Sequence, residues 1–254
     1  MNERGPRTET PDYAAGINAP PLHLLLLESR IFAELPLFLL QTLSVRGLPH
    51  GDGHAVVVLP SFGADDLATA PLRRALKRLG YAVHGWKQGR NLGMRSGIRL
   101  ALANQLLCLN ARHHGPVSLI GWSLGGVFAR ELARHQPERV RHVYTLGSPI
   151  NGNQGANNMQ SLFRLANRNR PVKTDWDAFN KHRQAPPVPC TALYSRQDGI
   201  VAWRCCIEDA APNTEHIEVG GSHFGLVFNR QVLKVLATKL ATSSTPPIKN
   251  LDRQ

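Results

Sequence analysis

Gly121-Trp122-Ser123-Leu124-Gly125-Gly126 follows directly on the apolar run Val117–Ile120. A serine between glycines in the pattern Gly-x-Ser-x-Gly suits a sharp strand-to-helix turn, because glycine lets backbone pass backbone where a Cβ would collide. Such a turn lifts a hydroxyl out of the carboxyl edge of a sheet. A serine that opens a helix also stands where the helix dipole and the free amides favour a developing negative charge. A chain of this composition yields the motif by chance about 0.09 times, and chance does not place it at a strand end.

A serine hydroxyl is a poor nucleophile near neutral pH, so a base and a group that orients the base are required. Asp198 lies in Ser195-Arg196-Gln197-Asp198-Gly199, directly after the strand-like Thr191–Ser195, and Gly199 suits a tight turn there. His223 lies in Gly220-Gly221-Ser222-His223-Phe224-Gly225, directly after the strand-like Glu215–Val219. Among eleven histidines, His113 and His114 fall at a predicted helix end and His216 within a strand. Only His223 follows a strand within a glycine-rich loop, which makes it the candidate general base. Asp175, Asp177 and Asp209 lack the strand-end position, so Asp198 is the acid, with Glu208 or Asp209 as fallback.

The elements that must hold these residues follow an alternating pattern. Ala55–Leu59 is an apolar, β-branched run without polar alternation, as in a parallel strand covered on both faces. Leu67–Leu79 reads as a helix with Gly80 as its stop. Tyr81–Trp86, Val117–Ile120, Val140–Leu146, Thr191–Ser195 and Glu215–Val219 read as further strands. Gly97–His113, Val127–His135 and Phe224–Leu240 read as helices. The pattern is an α/β fold with a mostly parallel sheet of about six strands flanked by helices. A cap insertion of about residues 149–189 follows the fourth strand and carries Arg164, Arg168 and Arg170. An excursion of that length inside a regular sheet is usually functional or disordered.

In front of this domain (47–241) lie a flexible segment, 1–21, and an amphipathic helical segment, 22–46; a flexible tail, 242–254, follows it. Leu22–Leu43 is interrupted by Glu28, Arg30, Glu34 and Pro36, so no apolar run reaches the ~18 to 20 residues that spanning a membrane needs. His23, Arg30, Glu34 and Gln41 draw one polar stripe on an otherwise apolar rod. The stripe fits a helix packed on its own domain with a bend near Pro36, or one laid on a membrane interface or a partner.

Two backbone amides should receive the oxyanion: that of Leu124, after the nucleophile, and one from Pro60-Ser61-Phe62-Gly63 after the first strand, for which Phe62 is the better candidate. Asp65 or Asp66 should cap the helix that follows. With this loop, the GWSLGG turn, Asp198, His223 and Thr145-Leu146-Gly147-Ser148-Pro149 together, the chain from about Ala55 to Leu240 resembles the α/β-hydrolase superfamily, in particular its lipase- and esterase-like members. Ser61 departs from the His-Gly or Pro-Gly of many relatives and would restrict the turn. The resemblance implies hydrolysis of a carboxylic ester through an acyl-enzyme, and a cap over the site. Acyl transfer or thioester cleavage by the same triad is the nearest alternative. A non-catalytic module binding a lipid or partner is the alternative of another class.

Composition bounds the rest. The 254 residues, 42% of them hydrophobic, suffice for one sizeable core and exclude global disorder. The net charge of +12 comes from 23 Arg and 7 Lys spread along the chain, without a phosphate-binding loop, an RNP-like aromatic stretch or a helix-turn-helix, so a nucleic-acid partner is not expected. The four cysteines form no CxxC pair and should be reduced and buried. No metal-ligand spacing is present and no cofactor is expected. The polar start lacks the pattern of a secretory signal, so a cytoplasmic protein is expected. Its partner would be a small-molecule ester, a lipid-like one included, with Trp122, Arg164 and Arg168 as candidate substrate contacts and residues 22–43 as a candidate peripheral membrane contact.

Overall fold

An apolar run without alternation must be covered on both faces, and β1 (Ala55–Leu59) is buried at every position. The computed structural model describes residues 17–93, 96–151 and 184–242. Within them β1 is joined by β2 (Ala82–Gly85), β3 (Val117–Trp122), β4 (Val140–Leu146), β5 (Cys190–Tyr194) and β6 (Thr214–Glu218). All pairings are parallel, in the order β2-β1-β3-β4-β5-β6. Val56 and Val58, with Ile120, Tyr144, Leu146 and Leu193, pack on the side of α3 (Asp66–Arg78) and α6 (Arg230–Thr242). Ala55, Val57 and Leu59, with Leu119 and Val143, pack under α4 (Ser96–His113) and α5 (Leu124–His135). At ~1.5–3 kcal/mol for each fully buried Val or Leu, these two layers hold the fold and leave the strand ends free for chemistry.

From β1 the chain runs to β2 on one side and then crosses to β3 on the other. The order therefore reverses at β1, and the crevice at the carboxyl ends of β1 and β3 is the switch point at which open α/β sheets bind ligands. The loop after β1 and the turn after β3 border it.

Three predicted elements take a different form. The strand expected over Tyr81–Trp86 stops at Gly85, because the Trp86 and Lys87 amides donate to the Asp66 carboxylate, at 2.9 and 3.0 Å, instead of to a neighbouring strand. Asp65 caps α3, accepting from the Leu67 amide at 2.9 Å. The closing helix begins at Arg230, not Phe224. Phe224–Phe228 forms a 3-10 segment, and Asn229 accepts from the Gln231 and Val232 amides to start α6. The amino-terminal helix breaks at Leu27–Arg30, a 3-10 turn between α1 (Leu22–Leu26) and α2 (Ile31–Gln41), and Pro36 stays inside α2. Pro36 is exposed, so the carbonyl it leaves without a helical partner can turn to water.

The segment from α1 to α2 lies on the domain with its polarity reversed. Glu28 is buried and Glu34 half-buried against the domain, while Leu22, Leu26, Phe32, Leu37, Leu40 and Leu43 are exposed, Phe32 at 83%. Phe38, 1% exposed, is its apolar anchor, 6.3 Å from the Phe228 ring. Arg230 donates to the Gln41 carbonyl and Arg78 to that of Thr42, two cations closing the carboxyl end of α2. Among the described residues no helix is long and apolar enough to cross a membrane. The expected cap falls between β4 and β5, and its residues 152–183, with Arg164, Arg168 and Arg170, lie outside the described residues, as do 1–16 and 243–254.

Candidate active site

Ser123 stands between β3 and α5 with φ +52° and ψ −120°, a conformation that costs about 1–3 kcal/mol unless its surroundings enforce it. Here they do. Its amide donates to the Leu146 carbonyl of β4 at 2.8 Å. Gly121 and Gly126 pack backbone to backbone across the turn, where a Cβ at Gly121 would overlap Gly126. A Cβ at Gly125 would stand 2.7 Å from the Leu59 carbonyl carbon and 2.8 Å from the Pro60 oxygen. The first turn of α5 is thus pressed directly against the end of β1.

His223 and Asp198 meet at the same edge. The His223 Nδ1 lies 2.6 Å from Asp198 Oδ2, with both side chains 1% exposed. The other Asp198 oxygen accepts from the amides of Ile200 at 2.8 Å and Val201 at 2.7 Å, which fixes the carboxylate in its own turn. Burial alone would push the imidazole pKa down, but the charge and hydrogen bond of Asp198, with the charge of Glu28 behind them, outweigh it and the net shift is upward. Gly147, following β4, joins this pair to the serine. A Cβ there would stand 3.1 Å from Asp198 Oδ2 and 3.2 Å from His223 Nδ1, and the residue before it, Leu146, holds the Ser123 amide. Glu208 and Asp209 stand elsewhere: Glu208 is buried in an ion pair with Arg130, and Asp209 is exposed beside Asn151.

Phe62 and Leu124 fall on the two sides of the switch point. Leu124 opens α5, where the first amides have no partner within the helix. Phe62 sits in a turn in which the Ala64 amide donates to the Ser61 carbonyl at 3.2 Å, and the positive φ, +76°, belongs to Gly63. The restriction expected from Ser61 therefore does not arise, since the strained position is glycine. Asn91, wholly buried, secures this loop. Its side chain donates to the Pro60 carbonyl at 2.8 Å, its amide donates to the Ala64 carbonyl at 2.8 Å, and its carbonyl accepts from the Gly63 amide at 2.7 Å. Trp122 is 5% exposed and its indole donates to the His223 carbonyl at 3.1 Å, so it supports the histidine loop from beneath.

Sequence reasoning gave no role at this site to Asn91, to Gly147 or to two carboxylates from the amino-terminal segment. Glu28 accepts from the amides of Gly199, His223 and Phe224 at 2.8, 2.9 and 3.1 Å. Glu34 accepts from the Ser222 amide at 3.0 Å and from its hydroxyl. The only available signal was that both acids interrupt an apolar rod.

A second Asp–His–Ser row occurs at the opposite end of the sheet. His54 Nδ1 meets Asp52, and His54 Nε2 lies 2.9 Å from Ser118 Oγ. Ser118 is wholly buried within β3, Arg141 pairs with Asp52 at 3.0 Å, and burial drives the His54 pKa down. This row has a base but no accessible nucleophile, and it ties β1 to β3. Cys108 is exposed, against expectation, while the other three cysteines are buried, and burial raises the pKa of Cys205 to about 11 and of Cys190 to about 12.

A six-stranded parallel sheet, a serine turn after β3, and an aspartate and a histidine in the loops after β5 and β6 define the α/β-hydrolase fold. No protein-family model and no curated protein matches the sequence. Solved structures do match. Aspergillus fumigatus lipase B superposes with a TM-score of 0.59 at 15% identity, over 79% of this chain and 55% of its own. A structure of the metagenome-derived lipolytic enzymes LipS and LipT gives 0.57 at 15% identity, over 76% and 94%. The pyrethroid hydrolase PytH gives 0.54 at 14% identity, over 74% and 98%. At such identities the likeness is one of fold.

Proposed function

We propose that the protein is a serine hydrolase that cleaves a carboxylic ester through an acyl-enzyme. The observation that carries this reading is the buried His223–Asp198 pair, at 2.6 Å, at the same sheet edge as a serine held at positive φ. Ser123 Oγ attacks the ester carbonyl while His223 Nε2 takes its proton. The Leu124 and Phe62 amides receive the oxyanion, and His223 returns the proton to the departing alcohol. Asp198 holds the imidazole with Nδ1 protonated and stabilises its charged form. Water activated by His223 then releases the acid.

The solved structures named lipase, lipolytic enzyme and hydrolase support ester cleavage as the reaction class. The thioesterase domain from the curacin pathway, with a TM-score of 0.50, keeps thioesters among the substrates to be tried. The outward-facing leucines and Phe32 of residues 22–43, in a chain of net charge +12, support peripheral contact with an anionic lipid surface and a lipid-like ester as substrate. Arg164 and Arg168 remain candidate contacts for an anionic head group.

The test is labelling with a fluorophosphonate, read by intact mass. One adduct on the wild-type protein and none on Ser123→Ala is expected. Absence of an adduct on the wild type, or labelling that survives in the variant, would sink the reading in favour of a non-catalytic module. Parallel assays on p-nitrophenyl esters of increasing chain length and on acyl thioesters then define the substrate class.

A further inference from the structure

An inside-out segment raises the question of what its polar side is for. Apolar side chains are available along residues 22–43, and most of them face outward. Toward the domain the segment turns Phe38 and Thr42 and, unusually, two carboxylates, Glu28 and Glu34. Attachment alone would be served better by the leucines, since a buried carboxylate loses its hydration and among the described residues no cation pairs with Glu28. Its compensation is three backbone amides, and those amides belong to the two loops that carry Asp198 and His223.

We propose that Glu28 is a positioning residue for the acid–base pair, one carboxylate that ties the loop after β5 to the loop after β6. Its Oε1 accepts from both Gly199, next to Asp198, and His223 itself, at 2.8 and 2.9 Å, and its Oε2 accepts from Phe224 at 3.1 Å. Past the Tyr194↔Glu218 pairing the two loops meet directly where the Val219 amide donates to the Tyr194 carbonyl at 2.9 Å and the Ser195 hydroxyl to the Gly221 carbonyl at 2.7 Å, and the Asp198–His223 spacing beyond these bonds depends on what else bridges the loops. The bridge is reinforced on both sides. The α1 backbone rests on Gly199, where a Cβ would stand 2.7 Å from the Leu25 amide nitrogen. Glu34 holds Ser222, and Arg30 donates to the Gln197 side chain at 3.1 Å and to its carbonyl at 3.2 Å. The Gln197 side chain in turn accepts from the Gly221 amide at 3.1 Å. Every residue from 221 to 224 is thereby held from the amino-terminal segment or through the loop that the segment grips.

The role has an electrostatic side. Two negative charges face His223: Asp198 from the loop after β5, and Glu28 from the turn between α1 and α2. Glu34 of α2 reaches the preceding residue, Ser222. Trp122 of β3, Gly147 after β4 and the segment Phe224–Phe228 bring no charge. Glu28 therefore both sets the geometry of the base and favours its protonated form.

This inference rests on the triad reading, and the experiment separates the two. Glu28→Gln and Glu28→Asp are compared with the wild type by pH–rate profile, by fluorophosphonate active-site titration and by NMR titration of the His223 imidazole. For Glu28→Gln the expected result is a kcat at least tenfold lower per titrated site, KM within twofold, and an acid limb and imidazole pKa at lower pH. Glu28→Asp keeps the charge but shortens the reach. It should lose kcat while holding the acid limb near its wild-type position, and it serves alone if Glu28→Gln does not fold. Wild-type kcat per site together with an unmoved limb in the folded variants overturns the proposal and reduces Glu28 to a structural attachment. If wild-type protein takes no label, the triad reading fails and the NMR titration alone decides. A lowered His223 pKa in Glu28→Gln upholds the tie and an unchanged one overturns it.

Discussion

Gly125→Ala is the sharpest probe of the proposed oxyanion geometry, because the three atoms nearest the added one are all backbone. Its Cβ would stand 2.7 Å from the Leu59 carbonyl carbon and 2.8 Å from the Pro60 oxygen, with the Leu59 oxygen nearer still. Restoring ordinary contact requires the first turn of α5 to move from the end of β1 by roughly 0.7–1 Å, and a misplacement of about 1 Å can cost around 10²-fold in rate. The same movement separates the Leu124 amide from the Phe62 loop, and loss of one oxyanion donor is worth about 10²–10³ in kcat, or ~3–4 kcal/mol. Overpacking should destabilise the fold by only about 1–3 kcal/mol. The assay is kcat on a soluble p-nitrophenyl ester, normalised to folded protein by thermal melt. Gly97→Ala, whose Cβ meets nothing within 4 Å, is the control and should be neutral. A Gly125→Ala enzyme within threefold of wild-type kcat would refute the claim that these two segments jointly form the oxyanion site.

Other outcomes follow from the same geometry. The proposed mechanism requires neutral His223, whose pKa is raised, so the acid limb of kcat/KM should lie above the ordinary histidine value of about 6.5; a limb below it contradicts the proposed base. The sign for stability is set by the same shift: the pair contributes fully below about pH 6.5 and its contribution is lost as pH rises through the folded value, which a Tm-against-pH series of wild type and Asp198→Asn would show. Asp198→Asn should also lower kcat by on the order of 10⁴ through loss of the correct tautomer, and near-normal turnover would exclude Asp198 as its partner. Phe32→Glu with Leu40→Glu should reduce flotation with anionic vesicles at least tenfold and leave soluble-ester hydrolysis intact; unchanged partitioning would remove residues 22–43 as the membrane contact.

The sheet was legible because unbroken β-branched runs such as Ala55–Leu59 admit few alternatives, and the candidates Ser123, Asp198 and His223 stood out because each follows a strand-like segment, even one as polar as Glu215–Val219. Strand and helix ends were less so. Trp86 looks like strand until the Asp66 carboxylate takes its amide, and Phe224–Phe228 looks like helix until Asn229 caps the next element. The partners of Glu28, Glu34 and Asn91 were not legible, although the two acids stood out in an apolar stretch, since each acts mainly on backbone amides or carbonyls of residues distant in the chain, and backbone partners leave no pattern of side-chain types. The reversed polarity of residues 22–43 was visible only as an interruption, and the periodicity that marked a polar stripe did not say which side would face the domain.

The Glu28–His223 hydrogen bond spans 195 residues of sequence, and that separation has a consequence for the order of assembly. Closing so long a loop is entropically costly and is favourable only once the intervening sheet has brought the ends together. The sheet can collapse on its two apolar layers without the amino-terminal segment, whereas the acid–base pair gains its full set of amide partners only when that segment docks. During refolding, burial of the core tryptophans should therefore precede recovery of turnover. During synthesis, Glu28 leaves the ribosome 195 residues ahead of His223, so the tie between them can form only after His223 has emerged.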